Sequence, residues 1–147
     1  MGNQVYRLLS AIILIAVAAM ACHRYGTSFT SPARIISLWD TTRVEAPDTV
    51  AIGTPFRVSF RTFAGGCTRH IARTEVRVSE HVAYIRPFNT TVRSALCTLD
   101  LLFLTHSVMV TFTQPGPSLV RVIGVRPGSP PTRSEIPTQV EKPVYVR

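Results

Sequence analysis

Apolar and polar residues alternate one by one through much of this chain, and that alternation constrains its fold more than any other feature. In the segment TPFRVSFRTF, Phe56, Val58 and Phe60 alternate with Arg and Ser residues. Successive side chains of an extended strand point to opposite faces, so this pattern predicts a strand with one buried face. No stretch after residue 33 carries an apolar stripe with helical spacing.

Several further segments have the same character. TEVRVS and KPVYVR alternate, and VAYIRPF is rich in aromatic and β-branched residues until Pro87 interrupts it. HSVMVTFTQPGPSLVRVIGV predicts a hairpin, because turn residues separate two alternating runs. The side chains predicted to face inward in this hairpin are Val108, Val110, Phe112, Val120 and Val122. The run SALCTLDLLFL is ambiguous, because short apolar runs cannot be assigned by periodicity alone.

Turn-rich segments such as APDTVAIGTP, AGG, QPGP and RPGSPP separate these strands. About seven to eight short strands between such turns predict an all-β, antiparallel sandwich. The segment VTFTQPGPSLVRVIG also resembles the last strand pair of bacterial immunoglobulin-like domains, in which F-x-x-P-G-x-x-x-V-x-V is common. That resemblance implies an Ig-like β-sandwich domain over residues 34–147.

The N-terminal segment differs from the rest of the chain. MGNQVYR carries one positive charge, and about fourteen uncharged residues follow it before Cys22. At a rise of 1.5 Å per residue that run spans only ~21 Å, which is short for a hydrocarbon core of ~30 Å. The segment is therefore typical of a signal-peptide helix over residues 1–21.

The residues AMAC at the end of this run resemble the lipobox of bacterial lipoproteins. The resemblance implies cleavage before Cys22, attachment of diacylglycerol to its thiol, and acylation of the new N-terminus. It also implies a membrane-anchored protein of the cell envelope, on the outer membrane and facing the periplasm or the exterior. The polar, small residues of HRYGTSFTSPAR predict a flexible tether over residues 22–33. Conventional secretion and an uncleaved membrane anchor remain as alternatives.

The chain has three cysteines, an odd number for an exported protein. If Cys22 carries lipid, Cys67 and Cys97 are available to form a disulfide in an oxidising compartment. Such a bridge would pin a long excursion between strands. The alternatives are two unpaired buried thiols or a thiol pair that binds a metal.

The formal net charge is +8, and Lys142 is the one lysine among sixteen basic residues. The arginines are scattered over outward strand positions and do not form a basic run with interleaved aromatic residues, which gives nucleic-acid binding little support. A solvated polar sheet face explains this scatter most simply. The charge still favours attraction to anionic surfaces.

Catalytic signatures are weak in this sequence. The four histidines have no short metal-ligand spacing, and Ser107 beside His106 has no nucleophile-elbow motif. FAGGC is too short for a phosphate-binding loop, and the glycosylation sequon that begins at Asn89 is a match in form only. We therefore expect no enzyme, no cofactor and no metal site.

Two functions of different classes follow. The first is a non-catalytic envelope module, which presents loops or a sheet edge to an envelope protein or a glycan. The second is a periplasmic domain that binds a small ligand or a metal within the Cys67–Cys97 excursion. In this alternative, Arg69, Arg73 and Arg93 would form a basic pocket for an anionic ligand.

Overall fold

A computed structural model describes residues 27–35, 43–92, 97, 100–127 and 134–147, without the side chains of residues 69 and 127. The predicted signal peptide, Cys22 and residues 23–26 of the predicted tether lie outside these residues. Every regular element in the described part is a strand, so the all-β prediction is confirmed. Within that part, no helix has the length and hydropathy that crossing a bilayer requires.

Eight strands lie in the described residues, and most of them are ten to twelve residues long. Their bounds are β1 Ser28–Pro32, β2 Thr49–Val50, β3 Phe56–Gly65, β4 Thr68–Ser79, β5 Val82–Val92, β6 Leu101–Val110, β7 Gly116–Pro127 and β8 Glu135–Val146. The strand order is β2-β8-β7-β5-β4-β3-β6, and β1 pairs with β5 beside this path.

The pairing is mixed, whereas the sequence predicted purely antiparallel strands. β5 pairs with β7 in parallel, and so does β2 with β8. The reason is that β6, which follows β5 and precedes β7 in the sequence, runs antiparallel to β3 and brings the chain back to the end where β5 starts. β7 therefore starts at the same end as β5 and runs in the same direction.

The core lies where two groups of strands meet. β3 and β6 pair over their full length, but β3 joins β4 through the single pair Gly65 and Thr68. The inward residues of this β3–β6 ribbon pack in one buried cluster with those of β5, β7 and β8. From the strands, the cluster contains Val50, Phe56, Val58, Phe60, Ala83, Ile85, Val110, Val120, Val122, Val144 and Val146. The predicted inward rows of β3, β6 and β7 are thus confirmed, but the alternating valines of β4, Val76 and Val78, are exposed.

The predicted hairpin between β6 and β7 is wrong. β6 pairs with β3, whereas β7 pairs with β5 and β8, so residues 111–115 carry the chain from one group of strands to the other. Val110 and Phe112 are nevertheless buried in the same cluster as Val120 and Val122. A hairpin of two adjacent strands and a connection that crosses the core bury the same apolar rows. Alternation therefore could not distinguish between these two arrangements.

Pro87 does not end β5, contrary to the sequence expectation. β5 pairs with β7 over residues 82–85 and with β1 over residues 88–92, so Pro87 lies where the neighbour changes. Its carbonyl accepts a hydrogen bond from the Ala33 amide at 2.9 Å. Proline has no amide hydrogen to donate. At Pro87 this costs little stability, because the ladder of hydrogen bonds is interrupted where the neighbouring strand changes.

Residues 28–32, which the sequence assigned to the flexible tether, form β1 instead. They pair with the end of β5, from Ser28 with Val92 to Pro32 with Phe88. The chain then crosses β7, where Ala33 and Ile35 exchange backbone hydrogen bonds with Val125 at 3.0–3.1 Å. Gly124 permits this approach, because a Cβ there would lie 2.5 Å from the Ala33 carbonyl oxygen. The ordered domain thus begins before residue 34.

Candidate functional site

Cys67 and Cys97 form a disulfide, as predicted, with their Cα atoms 5.1 Å apart. Cys67 lies in the turn between β3 and β4, and Cys97 lies between β5 and β6. The bridge therefore encloses the long hairpin of β4 and β5 and is not a central staple of the core. We call this end of the sheet, where β3 and β5 end and β4 and β6 begin, the disulfide end.

A cleft of about 570 Å³ opens at the disulfide end. Its apolar lining includes Phe29 of β1, Phe63 of β3 and Leu101 of β6. Arg34 and Glu135, which also line the cleft, form a salt bridge at 3.1 Å. The volume falls within the range typical of small-molecule sites.

A buried polar cluster separates this cleft from the apolar core. His106 of β6 contacts the hydroxyls of two threonines, Thr62 through Nε2 at 3.1 Å and Thr74 through Nδ1 at 2.7 Å. The Nδ2 of Asn89 donates to the Thr62 hydroxyl at 3.3 Å. These contacts connect β3, β4, β5 and β6 through side chains near the place where β3 and β4 have only one backbone pair.

Burial lowers the pKa of His106 to about 4. The imidazole is 1 % exposed and stacks on Phe60, with ring centroids 5.1 Å apart. A neutral imidazole has one donor and one acceptor nitrogen, and a threonine hydroxyl can serve either. The neutral ring is thus fully hydrogen-bonded in the interior, where a charged ring would lack the solvation that it needs.

Asn89 connects the polar cluster to the cleft. Its side chain lines the cleft, yet the residue is only 1 % exposed and its Oδ1 has no hydrogen-bond partner among the described residues. A buried acceptor without a partner costs about 1–3 kcal/mol. Because the residue is buried, the folded chain does not expose Asn89 as a glycosylation site.

The predicted basic pocket of three arginines stays a prediction, because Arg73 is the one of the three whose side chain the structure describes. Arg73 donates to Glu75 at 2.8 Å and stacks 4.3 Å from the ring centroid of Phe88, and it does not line the cleft. Arg93 lies outside the described residues, and only the backbone of Arg69 is described. Within the described part, no group of His, Cys, Asp or Glu side chains has metal-binding geometry.

The polar cluster escaped the sequence interpretation, although the signal was present. Thr62 continues the inward row of Phe56, Val58 and Phe60, and His106 continues the inward row of Val108 and Val110. Polar residues in phase with an apolar row are expected to be buried and hydrogen-bonded to one another. The burial of both was therefore predictable, but their contact depends on the pairing of β3 with β6.

Comparison with known proteins adds no further guide. No protein-family model, no curated protein and no solved structure matches the chain. The function has to be inferred from the residues themselves.

Proposed function

We propose that this protein is a lipid-anchored, non-catalytic binding module of the bacterial cell envelope. The observation that carries the proposal is the pairing of Cys67 with Cys97. The chain has three cysteines, so this pair leaves Cys22, at the end of the apolar N-terminal run, available for lipid. Disulfides persist in oxidising compartments, which agrees with export.

In this proposal the folded part is an Ig-like β-sandwich. The support is that the β3–β6 ribbon and the strands β5, β7 and β8 contribute inward rows to one core. The crossing from β6 to β7 joins the two groups of strands, as a connection between the layers of a sandwich does. In such a domain the loops at the two ends and the sheet edges are available to bind partners.

A binding role is favoured over catalysis by the chemistry of the interior. Thr62 and His106 are 0 % and 1 % exposed, and the imidazole is neutral at physiological pH. These groups satisfy one another and do not face a substrate. The exposed arginines instead favour an anionic partner, such as an acidic envelope glycan or an acidic surface of another envelope protein.

The test is the intact mass of the protein extracted from bacterial membranes, with and without reduction and alkylation. We expect a mass that lacks residues 1–21 and carries diacylglycerol, with two further thiols that appear only after reduction. A full-length mass with unmodified Cys22 would contradict the lipid anchor. Residues 8–21 would then be an uncleaved membrane anchor.

Small-ligand binding is a second candidate, favoured by the cleft and by the unpartnered Oδ1 of Asn89. An acceptor at that place selects a ligand with a hydrogen-bond donor on an apolar body. We expect benzyl alcohol to shift the amide resonances of Gly65, Asn89 and Leu101 more than its isomer anisole, which lacks a donor. Equal shifts with both compounds, or shifts confined to other parts of the chain, would argue against ligand binding in the cleft.

A further inference from the structure

The chain enters the folded domain at the disulfide end. Ser28, the first residue of β1, pairs with Val92 at the end of β5, and the Val92 amide donates to the Cys67 carbonyl at 2.9 Å. Cys22 and Ser28 are six residue steps apart, and at ~3.3–3.6 Å per step the segment spans at most ~22 Å. If Cys22 carries lipid, as the proposed function holds, the disulfide end lies within that distance of the bilayer.

Three large apolar side chains are exposed at this end. Phe29, Leu101 and Phe103 are 48 %, 62 % and 53 % exposed, and we call them the anchor-side cluster. Phe29 and Leu101 line the same cleft, and the ring of Phe103 lies 5.2 Å from that of Phe63, which also lines it. Two members of the cluster therefore line the cleft, and the third packs against an apolar residue that lines it.

Exposure alone does not single out this surface. Ile52 and Tyr145 are 47 % and 55 % exposed at the opposite end of the sheet, near the start of β3 and the end of β8. The two ends are separated by the length of β3, nine residue steps or roughly 30 Å. What distinguishes the disulfide end is that the N-terminal segment joins the domain there.

We propose that the anchor-side cluster docks on the membrane surface, with Phe29, Leu101 and Phe103 in the interfacial region of the bilayer. The transfer of aromatic and aliphatic side chains from water to that region is favourable. The acyl anchor holds the domain beside the membrane, so its contact with lipid is effectively intramolecular and a small apolar area suffices. The domain is then oriented with its disulfide end on the membrane and with the start of β3 at the end remote from the membrane.

The experiment measures the depth of single tryptophans. The native Trp39 is replaced by phenylalanine, and Leu101→Trp is compared with the matched control Ile52→Trp at the opposite end. The lipidated full-length protein is reconstituted into phosphatidylethanolamine–phosphatidylglycerol vesicles that contain a lipid with brominated acyl chains. We expect brominated lipid to quench the tryptophan at position 101 at least threefold more strongly than the tryptophan at position 52. Phe103→Trp is a second reporter if the Leu101 variant does not fold.

The failures of the anchor and of the docking are distinguishable. Vesicle-bound protein with lipid on Cys22, but with equal or negligible quenching at positions 101 and 52, would overturn the docking and leave the anchor intact. Unmodified Cys22, seen by mass, would remove the anchor and overturn the docking that rests on it. Strong quenching at position 101 that disappears in vesicles without brominated lipid would support the docking.

Discussion

Replacing Cys67 and Cys97 together by serine is expected to lower the free energy of unfolding by roughly 3.5 kcal/mol. The bridge joins residues 30 positions apart, and closing a loop of that length in the unfolded chain costs about this much entropy. Urea denaturation of the double variant and of the oxidised wild-type protein measures the difference.

Cys22→Ser is the matched control, because it removes the third cysteine without touching the bridge. Since the proposed function places Cys22 at the lipid anchor and not in the folded domain, we expect the free energy of unfolding of that domain, measured in the same detergent, to stay within about 0.5 kcal/mol of wild type. Reduced wild-type protein should resemble the double serine variant. A loss below about 1 kcal/mol in the double variant would contradict the assigned role of the bridge.

The free energy of unfolding should also fall by about 3 kcal/mol between pH 7 and pH 4 through His106 alone. Its pKa is about 4 in the folded protein and near 6.5 in the unfolded chain, so the unfolded state binds the proton first. The contribution of the neutral imidazole is fully present above pH 6.5. It is lost as the pH falls from 6.5 to 4, and it changes little below that.

His106→Gln isolates this effect, because the amide can bond to Thr62 and Thr74 but does not titrate. We expect the difference in unfolding free energy between wild type and this variant to shrink by about 3 kcal/mol from pH 7 to pH 4. His70→Gln is the matched control, since it makes the same substitution at an exposed histidine. Parallel pH profiles of wild type and His106→Gln would show that His106 is not held neutral by burial.

Most of the long strands, and the buried faces of β3 and β7, were predictable from the sequence. Alternation in β3 identified Phe56, Val58 and Phe60 as buried, and it did the same for Val120 and Val122 of β7. This succeeds because the period of two is a property of the strand itself and does not depend on its partner. The disulfide was predictable for a similar reason, since the prediction depended on the cysteine count and on the expectation of export, and not on strand pairing.

Strand neighbours were not predictable, because alternation says which face is buried and not what lies beside the strand. The crossing between β6 and β7 was interpreted as a hairpin for this reason, and Pro87 was interpreted as a strand end although a break in the ladder accommodates it. The candidate site shares this limit. The cleft and the contacts of His106 with Thr62 and Thr74 involve four strands, so they exist only once the pairing is known.

The position of β5 bears on how fast the protein folds. β5 has three neighbours, and only β4 is close to it in sequence; β1 and β7 lie tens of residues away. A chain with such non-local pairings searches slowly, and domains of this kind fold in milliseconds to seconds. The β4–β5 hairpin is the one local unit among these pairings, so we expect it to form early. β1 and β7 then pair with the edge that β5 already presents. Until they arrive, the β5 edge of that hairpin is open to pairing with other chains, and the newly made protein is most prone to aggregate during this interval.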